Sequence, residues 1–151
     1  MRTKRHHRVC DIIANSLREK AWTVFREDQN TNTNGDVRIS DLVCINNTMS
    51  TGLILDPTIR WEKNLEQADE VNAEKRNHYL DTIPNYKLRF PQIRSWDVIG
   101  LLFGARGTIP KFTADILLKN LKISNSTMHE IIIGVVKDSC TILHNHLYSK
   151  T

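Results

Sequence analysis

A short apolar segment that runs directly into an acid and a proline constrains the fold more than any other part of this sequence. Gly52–Leu55 follows the turn-rich segment Asn46–Thr51. An apolar run this short, bounded by turn residues, is typical of a strand buried on both faces. Asp56 then lies at the end of a core strand, and Pro57 weakens the pairing there because it has no N–H to donate. Asp56 is therefore either a cap for the next turn or part of a polar site.

The preceding segment, residues 36–46, alternates between apolar and polar residues and predicts a second strand. A hairpin through Asn46–Thr51 would lay this strand against the first and bring Asp41 towards Asp56. Two carboxylates that approach each other repel unless a cation lies between them. The pair therefore predicts a magnesium site suited to phosphoryl transfer. Asp41 shares its parity, and so one predicted strand face, with Val37, Ile39, Val43 and Ile45.

Residues 67–80 predict a helix, and one basic side chain lies on its inner face. Val71, Lys75 and Tyr79 recur at a spacing of four residues, so they share one face. A surface lysine more often lies among polar positions, although a buried stem can also reach solvent. Together with the two acids, Lys75 is a candidate catalytic cation.

Two acids on adjacent strands with a nearby lysine resemble the PD-(D/E)XK nuclease superfamily. More narrowly, the chain resembles the restriction-like endonuclease domain that follows a reverse transcriptase in site-specific non-LTR retrotransposon polyproteins. The resemblance covers most of the chain. Ser40 stands where the family has proline, Pro57 where a β-branched residue is common, and Thr58 where the superfamily has its lysine. The matching segments are Arg5-His6, residues 38–43, residues 56–62, Glu74-Lys75 with Tyr79, residues 98–102 and residues 104–107.

The resemblance implies a metal-dependent DNA endonuclease with a restriction-endonuclease-like fold. The expected fold is α/β, a mixed sheet flanked by helices with a C-terminal helical extension. Residues 1–4 are expected to be a disordered basic terminus, 5–107 the core, and 108–151 the extension of the same domain. Asp41 and Asp56 would hold Mg²⁺ or Mn²⁺, and Lys75 would take the lysine role that Thr58 cannot. The predicted catalytic residues are Asp41, Asp56, Lys75 and Tyr79.

The basic residues extend this prediction to the partners of the protein. A net charge of +4 and a pI of about 9.1 permit binding to nucleic acid. Double-stranded DNA is the predicted partner, and other polyprotein domains or RNA are further candidates. The expected location is the nucleus, or the cytoplasm before import. The predicted DNA-binding residues are Arg5, His6, Arg38, Arg60, Lys87 and Arg106.

Several classes of protein are disfavoured by the sequence. No apolar run approaches the ~20 residues that span a membrane, and the N-terminus has no hydrophobic signal core. We therefore expect neither a membrane nor a secreted protein. Cys10, Cys44 and Cys140 are an odd and widely spaced set that fits neither a disulfide framework nor a zinc ligand pattern. His144 and His146, two residues apart on a predicted helix, are expected at the surface.

The remaining segments complete the expected order of helices and strands. Residues 27–35 predict a polar loop with a turn at Asn34-Gly35, and prolines are expected to prevent a helix in residues 81–91. Residues 95–103 predict a strand at the centre of the sheet. Thr127 and Glu130 predict the capping box of a final helix. The other predicted elements are helices over 5–21, 111–121 and 128–147 and a strand over 22–26.

Two other functions remain open at this point. The chain is alternatively a catalytically inactive, DNA-binding remnant of the same fold. In a second alternative, Asp41, Asp56 and Lys75 form only a buried ion network within an α/β adaptor that does not bind nucleic acid.

Overall fold

The protein is an α/β structure in which helices cover both faces of one mixed sheet, as the sequence predicts. A computed structural model describes residues 4–148; the predicted disorder of residues 1–3 lies outside this range, and Lys4 already belongs to the first helix. The elements are α1 (Lys4–Glu19), β1 (Thr23–Thr31), β2 (Val37–Asn46), β3 (Thr51–Arg60), α2 (Gln67–Tyr79), α3 (Ile83–Arg89), β4 (Ser95–Gly104), α4 (Lys111–Asp115) and α5 (Asn125–Tyr148).

The sheet has the order β1-β2-β3-β4. The first three strands form an antiparallel meander, and β4 pairs parallel to β3 after the crossover through α2 and α3. The prediction that β4 is central is wrong, because β4 is an edge strand. Its Leu101, Leu102 and Phe103 are nevertheless buried. The apolar run therefore reflects helices that cover both faces of β4 and not a central position.

The larger core lies between the sheet and helices α1 and α5. Val9, Ile13 and Leu17 recur every four residues, so α1 presents one apolar stripe to the sheet. Met128, Ile131 and Val135, at spacings of three and four residues, form the apolar stripe of α5, which packs mainly against α1. These residues form one cluster with apolar side chains of three strands, namely Leu42, Leu55, Leu101 and Phe103.

Helices α2 and α3 cover the opposite face of the sheet. Val71 of α2 packs with Leu102, while Tyr79 and Tyr86 pack with Val43, Ile54 and Val98. The ring of Trp96 stacks on that of Tyr86 with 5.3 Å between centroids. This second layer holds the lysine-bearing helix mainly against β4, which pairs with the strand that carries Asp56.

Three local predictions are corrected by backbone pairing and capping. The polar segment 27–35 is mostly strand, since Asn30 pairs with Arg38, and the tight turn spans only residues 32–36. Pro84 lies in the first turn of α3, where proline costs no hydrogen bond, so residues 83–89 form a helix after all. The final helix begins at Asn125, and the hydroxyl of Ser124 accepts the N–H of Thr127 at 3.1 Å. No helix within residues 4–148 is long and apolar enough to cross a membrane.

Candidate active site

The two predicted acids occupy matching positions on neighbouring strands. Leu42 and Leu55 form the last pair between β2 and β3 at this end of the sheet. The next position on each strand is Asp41 and Asp56, and we refer to these two residues as the strand fork. Their relative exposures are only 2% and 1%. Buried carboxylates are costly without compensating cations or donors, so the fork is a site where charge must be balanced.

Lys75 supplies a cation to the fork from α2. Its ammonium Nζ lies 3.5 Å from Oδ2 of Asp56, and its side chain is 19% exposed. The Thr58 hydroxyl lies on the same face of β3 and donates to Oδ1 of Asp56 at 3.4 Å. The spacing of Val71, Lys75 and Tyr79 therefore identifies the inner face of α2 correctly, because Val71 and Tyr79 are both buried.

Gly100 of β4 is what allows the stem of Lys75 to lie directly on the sheet. A Cβ atom at this glycine would be 2.7 Å from Cγ of Lys75 and 3.0 Å from the carbonyl oxygen of Val71. Both neighbours belong to α2, and neither is the far end of a flexible chain. A side chain at position 100 would push α2, and Lys75 with it, away from Asp56.

We therefore expect Gly100→Ala to destabilise the protein by about 1–3 kcal/mol, as overpacking typically does. Urea unfolding would measure this change. Gly134→Ala on α5 is a matched control, because its new Cβ meets mainly the flexible side chain of Arg8. Equal stability of Gly100→Ala and the parent would contradict the close approach of α2 to β4.

A distortion of the β1–β2 hairpin changes the direction of Asp41. The pairing steps from Arg26–Leu42 to Asp28–Ser40 and passes over Glu27 and Asp41. Glu27 has a φ of +50°, a left-handed conformation that is uncommon outside glycine. Regular alternation therefore fails here, and Val37 and Ile39 beyond the distortion are more than half exposed. The prediction that Asp41 shares one strand face with Val43 is therefore wrong: Asp41 meets His6 of α1, whereas Val43 packs with Tyr79 and Tyr86 on the other face of the sheet.

The side chain of Asp41 meets the N-terminal part of α1. Nε2 of His6 lies 3.1 Å from Oδ2 of Asp41. Sγ of Cys10, one helical turn further on, lies 3.7 Å from the same His6 nitrogen. His6 was predicted as a DNA contact, and its position places it inside the site, next to an acid. Cys10 was not predicted as a site residue, although the spacing of four residues between His6 and Cys10 is a signal that a helix would bring them together.

Tyr79 lies one helical turn after Lys75, between α2 and β2. Its ring is buried, and its hydroxyl donates to the carbonyl of Ile39 on β2 at 3.1 Å. The ring of the neighbouring His78 contacts it edge to face. Partial burial lowers the pKa of His78, and the positive charges of Arg38 and Lys75 lower it further. His78 is therefore favoured in its neutral form near neutral pH.

A polar cleft of about 490 Å³ opens beside Lys75. A hydrogen bond from Arg60 lowers the pKa of the Glu74 carboxyl, so Glu74 is ionised at the rim of the cleft. The cleft is large enough for a phosphate group and its neighbouring sugar, and its walls carry both signs of charge. Its lining residues are Arg38, Glu74, Lys75, Asn77, His78 and Tyr79.

The other predicted DNA-binding residues divide between the surface and internal contacts. Arg60 donates to both carboxylate oxygens of Glu74 at 2.9 and 3.0 Å, and Arg5 donates to the Ser139 hydroxyl of α5 at 2.9 Å. Arg106 is exposed, with its guanidinium 5.5 Å from the centroid of the Trp61 ring. Lys87 is exposed on α3. Only Arg38 lines the cleft together with Lys75.

No family model matches this sequence, and no curated protein matches it. The similarity to the retrotransposon endonuclease domain therefore remains a prediction from the quoted motifs.

Proposed function

We propose that the protein is a metal-dependent endonuclease that hydrolyses DNA phosphodiester bonds at the strand fork. The observation that carries the proposal is the placement of Asp41 and Asp56 just beyond the Leu42–Leu55 pair, with the Lys75 ammonium 3.5 Å from Asp56. Two acids and a lysine on these elements are the arrangement that the sequence resemblance implies. The confirmed order of a meander, a crossover helix and a parallel strand supports the same proposal.

The donor set of the fork suits the implied metal ion. Mg²⁺ and Mn²⁺ prefer carboxylate oxygens, and the fork offers two carboxylates that are almost fully buried. Asp41 and Asp56 would hold the ion, which when bound lowers the pKa of a water ligand and neutralises charge on the phosphate.

The chain's own cations would act on the substrate. Lys75 is oriented by Asp56 and lies at the mouth of the cleft, where it would stabilise the negative charge that develops on the scissile phosphate. Arg38 lines the same cleft and would position the neighbouring phosphate. Arg106 and Lys87 are exposed and would contribute contacts to the DNA backbone further away. The retrotransposon origin, the nuclear location and the further partners rest on the same resemblance and belong to this proposal.

Incubation of supercoiled plasmid with the purified protein tests the proposal. We expect Mg²⁺-dependent conversion to open circles, and no conversion in excess chelator. We expect Lys75→Gln to reduce the rate by about 100-fold, the usual effect of losing one preorganised charge donor. Lys63→Gln, which removes an exposed lysine from the loop before α2, is the matched control and should nick at the parent rate.

The ion pair between Lys75 and Asp56 also favours a second candidate, a DNA-binding remnant in which the fork is only a structural ion network. Salt-sensitive DNA binding without nicking by the parent would support this candidate. Absence of both nicking and DNA binding would contradict every role in nucleic-acid chemistry.

A further inference from the structure

Three potential metal ligands converge where α1 meets β2. His6, Cys10 and Asp41 each offer one ligand atom, and these atoms all lie within 4.8 Å of one another. Within residues 4–148 no other group of at least three histidine, cysteine or acidic side chains has this arrangement. We call these three residues the α1 cluster. Asp56 of the strand fork is not a member of it.

The geometry of the α1 cluster follows from two local features. His6 and Cys10 are four residues apart on α1, so their side chains project from the same face. The distortion at Glu27 and Asp41 allows the third ligand to reach that face from β2. Neither feature depends on a bound ion to bring the three side chains together.

Two of the three ligand separations are close to those of a tetrahedral zinc centre, and the third is within 4.8 Å. Bonds of about 2.0 Å to nitrogen or oxygen and about 2.3 Å to sulfur separate the ligand atoms by roughly 3.3–3.6 Å. The His6–Asp41 and Cys10–His6 separations are 3.1 and 3.7 Å. The mixture of imidazole, thiol and carboxylate also suits Zn²⁺ better than Mg²⁺, which prefers oxygen ligands only.

We propose that His6, Cys10 and Asp41 form a zinc-binding site with a water molecule as the fourth ligand. Binding replaces the Cys10 thiol proton with the metal and releases that proton to solvent. The thiolate and the Asp41 carboxylate then balance the two positive charges of the ion. His6 is only partly buried, so it provides the side from which the ion enters.

The site has a consequence for the nuclease, and this consequence alone rests on the proposed function. Asp41 belongs both to the α1 cluster and to the strand fork. Zinc on Asp41 would withdraw that carboxylate from Mg²⁺, so zinc would inhibit nicking. Cys10 belongs only to the α1 cluster. A substitution of Cys10 therefore removes a zinc ligand and leaves both carboxylates of the strand fork in place.

Titration of the metal-free, full-length protein with Co²⁺, a spectroscopic substitute for Zn²⁺, tests the site. We expect a thiolate-to-cobalt charge-transfer band that saturates at one ion per chain, together with proton release. Cys10→Ser should lose the band, and Zn²⁺ affinity in a competition with a chromogenic chelator should fall by more than about 100-fold, the upper end for outer-shell losses. Zinc should then no longer inhibit any Mg²⁺-dependent nicking.

The other cysteines provide matched controls. Cys44 is as completely buried as Cys10, and burial raises the pKa of its thiol, so it stays neutral. Cys140 is exposed on α5. Cys44→Ser and Cys140→Ser should both keep the cobalt band. Circular dichroism verifies that each variant is folded. If Cys10→Ser does not fold, His6→Gln provides a second variant that lacks one ligand.

The outcomes of the two proposals are distinguishable. Failure of the parent to produce the cobalt band, or persistence of the band in folded Cys10→Ser, overturns the zinc site whatever the nicking assay shows. A cobalt band without nicking under zinc-free conditions supports the zinc site and contradicts the nuclease.

Discussion

Under the proposed function, replacement of Asp56 by asparagine is expected to reduce Mg²⁺-dependent nicking by at least about 100-fold, because it would remove a metal-ligand charge and the partner of Lys75. The same change leaves a partly buried ammonium with weaker compensation. We expect a loss of roughly 1–3 kcal/mol in the free energy of unfolding. Plasmid nicking and urea unfolding measure the two effects separately.

Thermal unfolding with and without Mg²⁺ identifies which role of Asp56 dominates. An ion that binds only the folded protein raises the melting temperature by mass action. Mg²⁺ should therefore raise it in the parent and not in Asp56→Asn. Asp69→Asn, an exposed acid in the first turn of α2, is the control and should respond as the parent does. If Mg²⁺ has no effect on the parent and Asp56→Asn is strongly destabilised, the fork is a structural ion network that does not bind Mg²⁺.

The second large effect is expected at the strand pair next to the fork. Leu55 is fully buried in the main core and pairs with Leu42 across the sheet. Leu55→Ala removes three buried carbon atoms and leaves a cavity that rigid strands cannot fill. We expect a loss of about 2–5 kcal/mol in the free energy of unfolding, measured by urea denaturation.

The matched control for this change is Leu88→Ala, since Leu88 is 80% exposed on α3. Its substitution should change stability by less than about 0.5 kcal/mol. A small effect of Leu55→Ala, similar to that of the control, would contradict the packing of β3 between the two helical layers. A large effect confined to Leu55→Ala would support the view that the tightly packed core beneath the strand fork holds Asp41 and Asp56 in place.

Local sequence patterns were sufficient to predict the order of the main elements and much of the fork. The hairpin of β2 and β3 follows from their apolar patterns and the turn between them, and it places Asp41 opposite Asp56. The spacing of Val71 and Lys75 likewise predicts the face of α2 that meets the sheet. Both are short-range relations, because helical and strand periodicity depends only on the backbone geometry of one element.

Predictions failed where a position depends on what covers an element or on one backbone torsion. Apolar β4 was predicted to be central because a strand covered by helices on both faces has the same continuous apolar run at the edge of a sheet as at its centre. The direction of Asp41 depends on the left-handed conformation of Glu27 on the neighbouring strand. No periodicity within β2 carries that information.

The sequence by itself thus determined the α/β order, the pairing of the two acid-bearing strands and the inward face of Lys75. Only the tertiary structure decided that β4 lies at the edge, that Gly100 admits the Lys75 stem, and that Asp41 meets His6 and Cys10. The physical reason is the separation along the chain over which each kind of interaction acts. Periodic burial acts within an element, whereas the convergence of α1 with β2 follows from the packing of side chains that are distant in the chain.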